Sequence, residues 1–464
     1  MKAGQDKAPD MKKKFLKGIS LFFLLLLLLV VILIDKVDRS PYQEEDFYTE
    51  MLERLDSLEG ALPAASTGPL QAGWSRLSIT PDTILPLAGY GARKPKEMEG
   101  IADSVFVRSI VFDNGSTRAA LLSADLLIVH PEVRIRFDAL LRNAGWDPEK
   151  VLITATHSHS SVGAWAPGLV GGLFSGDYDV AVVEWLAERL AQSVLLADQQ
   201  KQPASLGFNE FPVEDLVFNR LVKEEGIIDP WLKTLQINRA NEKGLAAFYS
   251  AHATCYGRHY HELTGDYPVT YHKEVLKDSL TDYSWYGAGA VASMGYKTPP
   301  ELKDEGERAL YMGSQLAAAA KLLIRDSLQQ DSLCRIRAFR VAVPLRDPNF
   351  KISQELRLRP WVFNEAFGDY PTYLSFLQLN NTLIIGTPCD FSGELAMDLY
   401  AQMPEGSNLI ISSFNGGYIG YIPDDRWYDR ERYETRTMAW YGHDNGAYFT
   451  EVMERIALTL LDRK

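Results

Sequence analysis

The sequence predicts an α/β fold in which mixed β-sheets are flanked by helices, within one large domain that follows an N-terminal transmembrane helix. Three observations support this. Short apolar runs typical of strands alternate with helical patterns, two hairpin signals require antiparallel pairs, and residues 18–34 form an uncharged apolar run. A chain that combines hairpins with helical crossovers forms a mixed sheet or two packed sheets.

The composition is that of an ordinary globular protein with enough apolar material for a large core. The chain has 464 residues, of which 46% are hydrophobic and 23% charged. Its net charge is −13 with no basic block beyond the N-terminus, which argues against a nucleic-acid partner. No protein partner is indicated. The three cysteines permit at most one disulfide, and without a Cys-x-x-Cys pair any metal must be held by His, carboxylate or phenolate groups.

The N-terminal segment is predicted to be a membrane anchor. Lys12, Lys13, Lys14 and Lys17 precede the apolar run 18–34. As a helix this run is about 25 Å long, close to a hydrocarbon core of about 30 Å. The positive-inside rule predicts a cytoplasmic basic tail at 1–17, a transmembrane anchor at 18–34 and an extracytoplasmic (periplasmic or extracellular) remainder. A cleaved signal sequence, which would make the protein secreted, is the alternative. The charged segment 35–39 and the lack of a convincing Ala-x-Ala site favour the anchor.

Residues 35–71 are expected to be a stalk or linker, and residues 72–464 the folded domain. A polar helix is predicted at 42–58, before a segment at 62–69 rich in Pro and small residues. One hairpin joins 105–112 to 119–129 through Asp-Asn-Gly, and a second joins 234–238 to 246–250. Further strands are expected at 151–155, 335–343, 373–385 and 409–412, and further helices at 132–142, 182–196, 308–325, 391–401 and 449–461.

Two histidines follow a short apolar strand. The sequence Thr-His-Ser-His-Ser at 156–160 comes directly after the strand predicted at 151–155. Residues two apart on an extended chain point to the same side, so His157 and His159 can face one cleft. A hydrogen-bonded loop with two surface histidines is the alternative.

Three other strand ends carry residues that can bind metal. His252 ends an apolar strand, although alone it is compatible with a core histidine. Asp390 follows the apolar run 373–385, and an acid before a helix is by default an N-cap. The aromatic run at 418–421, with Tyr428 and Tyr433, can line a core or a groove. Each pattern alone favours a structural role, whereas their order together favours a functional one.

In this order the motifs resemble the neutral/alkaline, non-lysosomal ceramidase family, in its N-terminal catalytic domain. The segment 156–160 is similar to Thr-His-Thr-His-Ser, whose first His binds zinc, and 251–254 resembles the segment with the second zinc His. Thr-Pro-Cys-Asp at 387–390 resembles a Pro-Gly-Glu stretch that supplies the third ligand. Tyr-Ile-Gly-Tyr at 418–421 resembles a Tyr-x-x-Tyr whose second Tyr is the fourth. The resemblance therefore implies Zn²⁺ held by His157, His252, Asp390 and Tyr421.

The resemblance also implies catalytic roles. His159 corresponds to the unbound His beside the substrate, and Tyr433 to a substrate-facing Tyr in a Gln-Arg-Tyr-Glu run. Arg220 lies in a segment similar to one whose Arg approaches the ceramide amide. Gly-Tyr-Lys-Thr-Pro at 295–299 stands where the family carries Gly-Asp-Val-Ser-Pro, so Thr298 takes the place of a functional Ser. Asp390 is one methylene shorter than the family's Glu, and the family's C-terminal β-sandwich is expected to be missing.

The function implied is zinc-dependent hydrolysis of a linear amide C–N bond, at the membrane surface. Ceramide or a similar lipid would give a fatty acid and a sphingoid base. Metal coordination can lower the pKa of water to about 7, Tyr433 or Arg220 would stabilise the oxyanion, and His159 would protonate the leaving amine.

Residues 165–170 are expected either to line an acyl groove or to pack as an ordinary loop. The altered segment 295–299 keeps open a metal amidase for another N-acyl substrate, such as a cell-wall amide or acyl amino lipid. A catalytically inactive lipid-binding relative is the remaining alternative.

Overall fold

The computed structural model describes residues 8–62, 65–94, 96–324 and 331–461. Within these ranges the α-helices are α1 (Ala8–Leu33), α2 (Asp46–Ala61), α3 (Pro131–Asn143), α4 (Gly168–Ser175), α5 (Val180–Gln199), α6 (Asp266–Leu276), α7 (Glu305–Leu323), α8 (Pro360–Phe367), α9 (Gly393–Gln402) and α10 (Asn445–Leu461). The strands of the first half are β1 (Ile34–Lys36), β2 (Thr67–Pro69), β3 (Gln71–Ser78), β4 (Leu87–Gly89), β5 (Gly100–Ile101), β6 (Phe106–Asp113), β7 (Arg118–Ala124), β8 (Val151–Ala155), β9 (Ser160–Val162), β10 (Gln202–Pro212) and β11 (Val217–Asn219). Those of the second half are β12 (Trp231–Arg239), β13 (Lys243–Tyr249), β14 (Glu262–Leu263), β15 (Tyr283–Ala288), β16 (Met294–Tyr296), β17 (Leu333–Ala342), β18 (Leu356–Leu358), β19 (Tyr373–Leu379), β20 (Thr382–Gly386), β21 (Asp390–Phe391), β22 (Asn408–Ser412) and β23 (Tyr421–Ile422).

Two mixed sheets form the centre of the domain. The larger has eight strands in the order β15-β13-β12-β10-β3-β6-β7-β8, and the smaller has five in the order β2-β17-β19-β20-β22. The pairs β13–β15, β7–β8 and β20–β22 are parallel, and the other neighbours are antiparallel. The mixed α/β fold predicted from the sequence is therefore confirmed.

The side chains of each strand alternate between two apolar cores, as the period of two in a strand requires. Ile110 and Phe112 of β6 point into the core between the sheets, whereas Val107 and Val111 pack beneath α3 and α5. The smaller sheet behaves likewise, because Ile384 of β20 faces the same inter-sheet core while its neighbours face α2, α9 and α10. The domain thus has four layers, with helices outside both sheets.

Most predicted elements are present, and two differ in a way that affects the site. The run 373–385, predicted as one strand, is the hairpin β19–β20, which turns at Asn380 with a φ of 57°. Asp390 is not a helix N-cap, because the Ser392 side chain accepts the hydrogen bond from Glu394 N that begins α9. Asp390 instead belongs to the short strand β21. The three cysteines are free and buried.

The apolar N-terminal run is helical, and the segment after it packs on the domain. Lys13–Leu33, within α1, is long and apolar enough to cross a membrane and is not buried against the protein. The next residues form β1, which pairs with β18. In α2, Met51 and Leu55 are buried in the core that also contains α9 and α10. Of the region predicted as a basic tail, residues 1–7 lie outside the described residues, as do Pro63 and Ala64 of the predicted linker.

Candidate metal centre

Four polar side chains meet where strands of both sheets end. His157 follows β8 and His252 follows β13, both strands of the larger sheet. Asp390 follows β20 of the smaller sheet, and Tyr421 lies beyond its neighbour β22. The short strands β21 and β23 pair in parallel with Asp390 opposite Tyr421. The two sheets therefore contribute two side chains each.

The donor atoms of these residues lie at the spacing of ligands around one ion. His157 Nε2 is 3.1 Å from His252 Nε2, and they lie 3.4 and 3.3 Å from Asp390 Oδ1. The Tyr421 hydroxyl is 3.1 Å from His252 Nε2. A tetrahedron with ligand bonds of about 2.0–2.1 Å, as for zinc, has edges of about 3.3–3.4 Å. The four measured separations are close to these edges, so the donors are spaced as ligands of one metal ion are.

Backbone carbonyls fix the tautomer of both histidines. His157 Nδ1 lies 2.8 Å from the carbonyl oxygen of Leu127. His252 Nδ1 lies 2.8 Å from that of Val291. Because a carbonyl only accepts, Nδ1 carries the proton in each ring and the Nε2 lone pair points into the cluster. Burial lowers the pKa of His157 to about 3 and the pKa of His252 well below its usual value, so both imidazoles are neutral, as metal ligation requires.

Asp390 is a buried carboxylate with one oxygen left unsatisfied. Its Oδ2 accepts a hydrogen bond of 2.9 Å from the Tyr418 hydroxyl. Its Oδ1 is buried without a hydrogen-bond partner, since the facing histidine nitrogens carry no proton. Burial raises the pKa of Asp390, because an ionised carboxylate is costly away from water. A cation among the four donors offsets that cost, and the nitrogen and oxygen donor set is one that zinc accepts.

His159 offers a second, overlapping donor set. Its Nε2 is 3.2 Å from His157 Nε2, and it belongs with His157 and His252 to a group compact enough to hold a metal ion. Its Nδ1, however, is buried with no hydrogen-bond partner. Metal-bound histidines usually donate their other N–H to a fixed acceptor. The set that includes Asp390 and Tyr421 therefore fits better, which leaves His159 beside it.

Arg220 and Tyr433 border the cluster on the Tyr421 side. Arg220 Nη2 donates to the Tyr421 hydroxyl at 3.2 Å, while its Nε donates to the Ala292 carbonyl at 3.2 Å and lies 3.1 Å from Glu434 Oε1. The Tyr433 ring packs edge-on to Tyr421 with centroids 6.0 Å apart. Although Tyr433 is about half exposed, partial desolvation and the nearby Asp390 carboxylate raise the pKa of its phenol, which keeps its proton at neutral pH. Two hydrogen-bond donors therefore stand at this side of the centre.

Thr298 stands apart from the residues that the structure brings together. It lies in the irregular segment after β16, whose partner β11 ends at Asn219, just before Arg220. Among the described residues, no hydrogen bond joins Thr298 to the histidines, Asp390 or the tyrosines. Its predicted catalytic role stays a prediction.

The structure adds residues for which the sequence predicted no role. Tyr418 orients the Asp390 carboxylate, although from the same Tyr-Ile-Gly-Tyr motif only Tyr421 was predicted to act. Phe414 stacks on the His157 ring, with centroids 4.2 Å apart and planes at 8°. Both His157 and Phe414 have positive φ, 62° and 69°, which no pattern in the sequence indicates. The proximity of Phe414 to His157 depends on how two strand ends from different sheets meet.

An apolar cleft opens above the cluster. It contains His157, His159 and Tyr421 at its polar end, and residues of the predicted groove segment 165–170 in its wall. Its full lining comprises Gly89, Leu127, Ile128, His130, Pro131, His157, His159, Trp165, Ala166, Pro167, Val170, Gly171, Phe174, Phe367, Tyr370, Tyr418, Tyr421, Tyr433, Met438 and Trp440. An apolar wall with a few convergent polar groups is typical of a small-molecule site.

Comparisons with known proteins bear on the fold and on the family resemblance. Residues 71–275 match the family model "Neutral/alkaline non-lysosomal ceramidase, N-terminal". The fold is similar to the crystal structure of a neutral ceramidase from Pseudomonas aeruginosa, with a TM-score of 0.72, 15% identity, and coverage of 85% of this chain and 75% of that one. A ceramidase complexed with C2 gives a TM-score of 0.71 at 15% identity, covering 85% of this chain and 76% of its own. The resemblance predicted from the motifs is confirmed, because residues 71–275 of this chain match the model of the neutral/alkaline non-lysosomal ceramidase family.

Proposed function

We propose that this protein is a zinc-dependent amidohydrolase that cleaves the N-acyl amide of ceramide or a similar lipid to a fatty acid and a sphingoid base. The observation that supports this most directly is the unsatisfied Oδ1 of Asp390, which faces two neutral imidazoles at the polar end of an apolar cleft. His157, His252, Asp390 and Tyr421 would hold the ion. Zinc bound there supplies Lewis acidity, which polarises a carbonyl and lowers the pKa of water.

His159 is the proposed proton carrier. Burial keeps the pKa of His159 well below its usual value, so the imidazole is neutral at pH 7 and begins as a base. Its Nε2 takes a proton from the attacking water as the new C–O bond forms. It returns that proton to the amine nitrogen as the C–N bond breaks, so the imidazole ends neutral. Its position beside His157, in the wall of the cleft, supports this role.

Arg220 and Tyr433 are the proposed stabilisers of the negative charge that develops on the carbonyl oxygen. Arg220 is held in place by Glu434 and by the Ala292 carbonyl, so its donors are preorganised. Tyr433 retains its phenolic proton and lines the cleft. Fixed donors of this kind are typically worth about 10²–10³-fold in rate for each one.

The cleft and the N-terminal helix support a lipid substrate at a membrane. The cleft walls carry Trp165, Val170, Phe174 and Trp440, which suit an acyl chain better than a polar peptide. The run Lys13–Leu33 is long and apolar enough to cross a bilayer. Because the lysines precede it, we propose that it anchors the chain with the cleft on the extracytoplasmic side.

Zinc content and turnover together test the proposal on the purified full-length chain. We expect close to one zinc per chain, hydrolysis of ceramide, and loss of both zinc and activity in His252→Ala and Asp390→Asn. His272→Gln is the matched control, because His272 is also buried but bonds to Ser284 outside the cluster. Absence of zinc, with unchanged behaviour of His157→Ala, would indicate an inactive lipid-binding relative.

A parallel assay on N-acyl amino acids tests the second candidate, a metal amidase with another substrate. The substituted segment 295–299 favours it. This segment begins in β16, which pairs with β11, and β11 ends directly before Arg220. Zinc binding with turnover of N-acyl amino acids but not of ceramide would support this alternative and contradict the assignment to ceramide.

A further inference from the structure

The end of the apolar helix is bonded directly to the folded domain. The last turn of α1 leaves carbonyls without helical partners, and Arg359 satisfies two of them. Its backbone N donates to the Leu33 carbonyl at 2.9 Å, and its Nε donates to the Val31 carbonyl at 2.9 Å. A cation at a helix C-terminus also complements the helix dipole. The helix therefore ends on a residue of the domain.

The chain continues from α1 without a flexible joint. Strand β1 pairs with β18 in an antiparallel register that places Asp35 opposite Arg357. Asp38 then exchanges two backbone hydrogen bonds with the Asn349 side chain, at 3.1 and 2.7 Å. The bidentate pair of Arg39 with Asp429 follows. These contacts fix the direction of α1 relative to the domain.

The same junction begins one wall of the cleft. Arg359 is the N-cap residue of α8. Eight helical residues rise only about 12 Å, and Phe367 at the end of α8 lines the cleft. Helix α4 lies beside α8, since a Cβ on Gly168 would stand 3.7 Å from the Ala366 carbonyl oxygen. Both helices at the cleft entrance are thus within a short distance of the point where α1 would leave the bilayer.

These two helices expose large apolar side chains at that entrance. In α4, Val170, Gly171 and Phe174 line the cleft. On the same helix Leu169 and Leu173 do not line it and are 81% and 49% exposed. In the first turn of α8, Trp361 is 52% exposed. We call Leu169, Leu173 and Trp361 the apolar rim. Leu169 and Leu173 lie one helical turn apart, and adjacent exposed apolar groups of this kind mark contact surfaces, while Trp is enriched at membrane interfaces.

We propose that the apolar rim inserts into the bilayer that α1 spans, so that the cleft opens onto the membrane interface and receives a lipid amide without its passing through water. This rests on the proposed function, in particular on the anchor and the lipid substrate. The continuity from α1 through β1, β18 and Arg359 to α8 supports a bilayer, rather than a second protein, as the occupant. Because α1 holds the rim at the membrane, the effective concentration of the rim there is high. Three apolar side chains are then enough to keep the rim inserted.

The depth of the rim in a membrane tests this independently of catalysis. The native cysteines are buried, so a single fluorophore can be attached to Leu169→Cys in the full-length chain reconstituted into phosphatidylcholine vesicles. We expect nitroxide-labelled lipid to quench this probe at least twofold more than a probe at Leu310→Cys. Leu310 is the control because it is 57% exposed on α7, which packs with α6 in a different apolar core from that of α8. Equal quenching at the two positions would overturn the proposal.

An aqueous quencher identifies the competing occupant. Iodide should quench the Leu169→Cys probe less than the Leu310→Cys probe. Protection from iodide without quenching by nitroxide lipid would place the rim in a protein–protein contact and overturn the proposal.

Activity then separates this inference from the proposed function. In the variant Leu169→Glu/Leu173→Glu, hydrolysis of ceramide in the same vesicles should fall at least tenfold, while hydrolysis of a water-soluble short-chain analogue should stay within twofold of the unmodified chain. Loss of neither activity would contradict a role for the rim. If the unmodified chain hydrolyses neither substrate, the proposed function fails, yet the quenching experiment still decides the position of the rim.

Discussion

At the residue scale, a single hydrogen bond gives Tyr418 a predicted role in zinc binding. Its hydroxyl donates to Asp390 Oδ2 at 2.9 Å and so fixes which carboxylate oxygen faces the histidines. Hydrogen bonds that orient metal ligands are typically worth about 10–100-fold in metal affinity. We therefore expect Tyr418→Phe to weaken zinc binding by about that factor without unfolding the protein, as measured by competition with a chelator.

Tyr428→Phe is the matched control for this measurement. Its hydroxyl is buried and has no hydrogen-bond partner, and it lies outside the cluster. Equal zinc affinity in Tyr418→Phe and Tyr428→Phe would show that the Asp390 carboxylate does not depend on Tyr418.

The contacts of Arg220 predict that its replacement changes the catalytic rate rather than the metal content. Its guanidinium contacts the Tyr421 hydroxyl, the Ala292 carbonyl and Glu434, and we propose that it donates to the developing oxyanion. We expect Arg220→Gln to lower kcat by about 10²–10³-fold, with a smaller change in KM and with zinc retained. Steady-state kinetics beside metal analysis measure the two effects separately. A kcat within threefold of the unmodified chain would exclude this role.

The motifs predicted four candidate donors, but not the contacts that orient them. His157, His252, Asp390 and Tyr421 were predicted from short motifs in order, and the structure brings their donor atoms within 3.1–3.4 Å in the contacts measured. The stacking of Phe414 on His157 depends on two strand ends from different sheets. Such contacts are set by tertiary packing, so no local pattern predicts them.

At the element scale, Asp266 begins α6 with a φ of 57° and is buried. Burial raises its pKa to about 6, although hydrogen bonds from Tyr267 N and Tyr256 N favour the ionised form. The unfolded value is about 3.9. The folded state therefore holds this proton more tightly, so the contribution to stability is complete below about pH 4 and is lost as the pH rises through 6.

Asp266→Asn removes this titration while keeping a residue type that tolerates positive φ. The stability of the unmodified chain relative to Asp266→Asn should fall by up to about 3 kcal/mol between pH 4 and 7. Thermal unfolding of both full-length chains across this range measures the difference. Parallel profiles would show that Asp266 is not the titrating group.

Elements were predictable where the local pattern was strong. The strand at 151–155 has the predicted bounds, because five consecutive apolar or small residues are bounded by polar ones. Strand β10 was not predicted, since its burial does not alternate and it contains Pro203 and Pro212. The predicted run 373–385 missed a turn at Asn380 and Asn381, residue types that favour left-handed backbone.

At the scale of the whole molecule, the sequence indicated one mixed sheet or two packed sheets, but not the strand order. Residues 202–212 lie between β3 and β12 in the larger sheet, far from β3 along the chain. Pairings at such separations are set by which apolar faces meet, and a single sequence contains no direct signal for them.

The segment 35–71 shows the same principle. Its polar, Pro-containing composition predicted a stalk, whereas its few apolar residues, such as Met51 and Leu55, pack into the core of the domain.

Limited proteolysis distinguishes a stalk from a docked segment. In the folded full-length chain, trypsin should cut slowly after Lys36 and Arg39, because these residues lie in or next to the β1–β18 pair and the Asn349 contact. Asn349→Ala removes both hydrogen bonds to Asp38 and should speed cleavage there at least fivefold, as followed by mass spectrometry of the fragments. Asn381→Ala, which removes a side-chain bond to the Gly406 carbonyl on an exposed turn, should leave the rate unchanged. Rapid cleavage after Lys36 and Arg39 in the unmodified chain would mean that the segment is a mobile stalk. The helix α1 would then not set the orientation of the cleft towards the membrane.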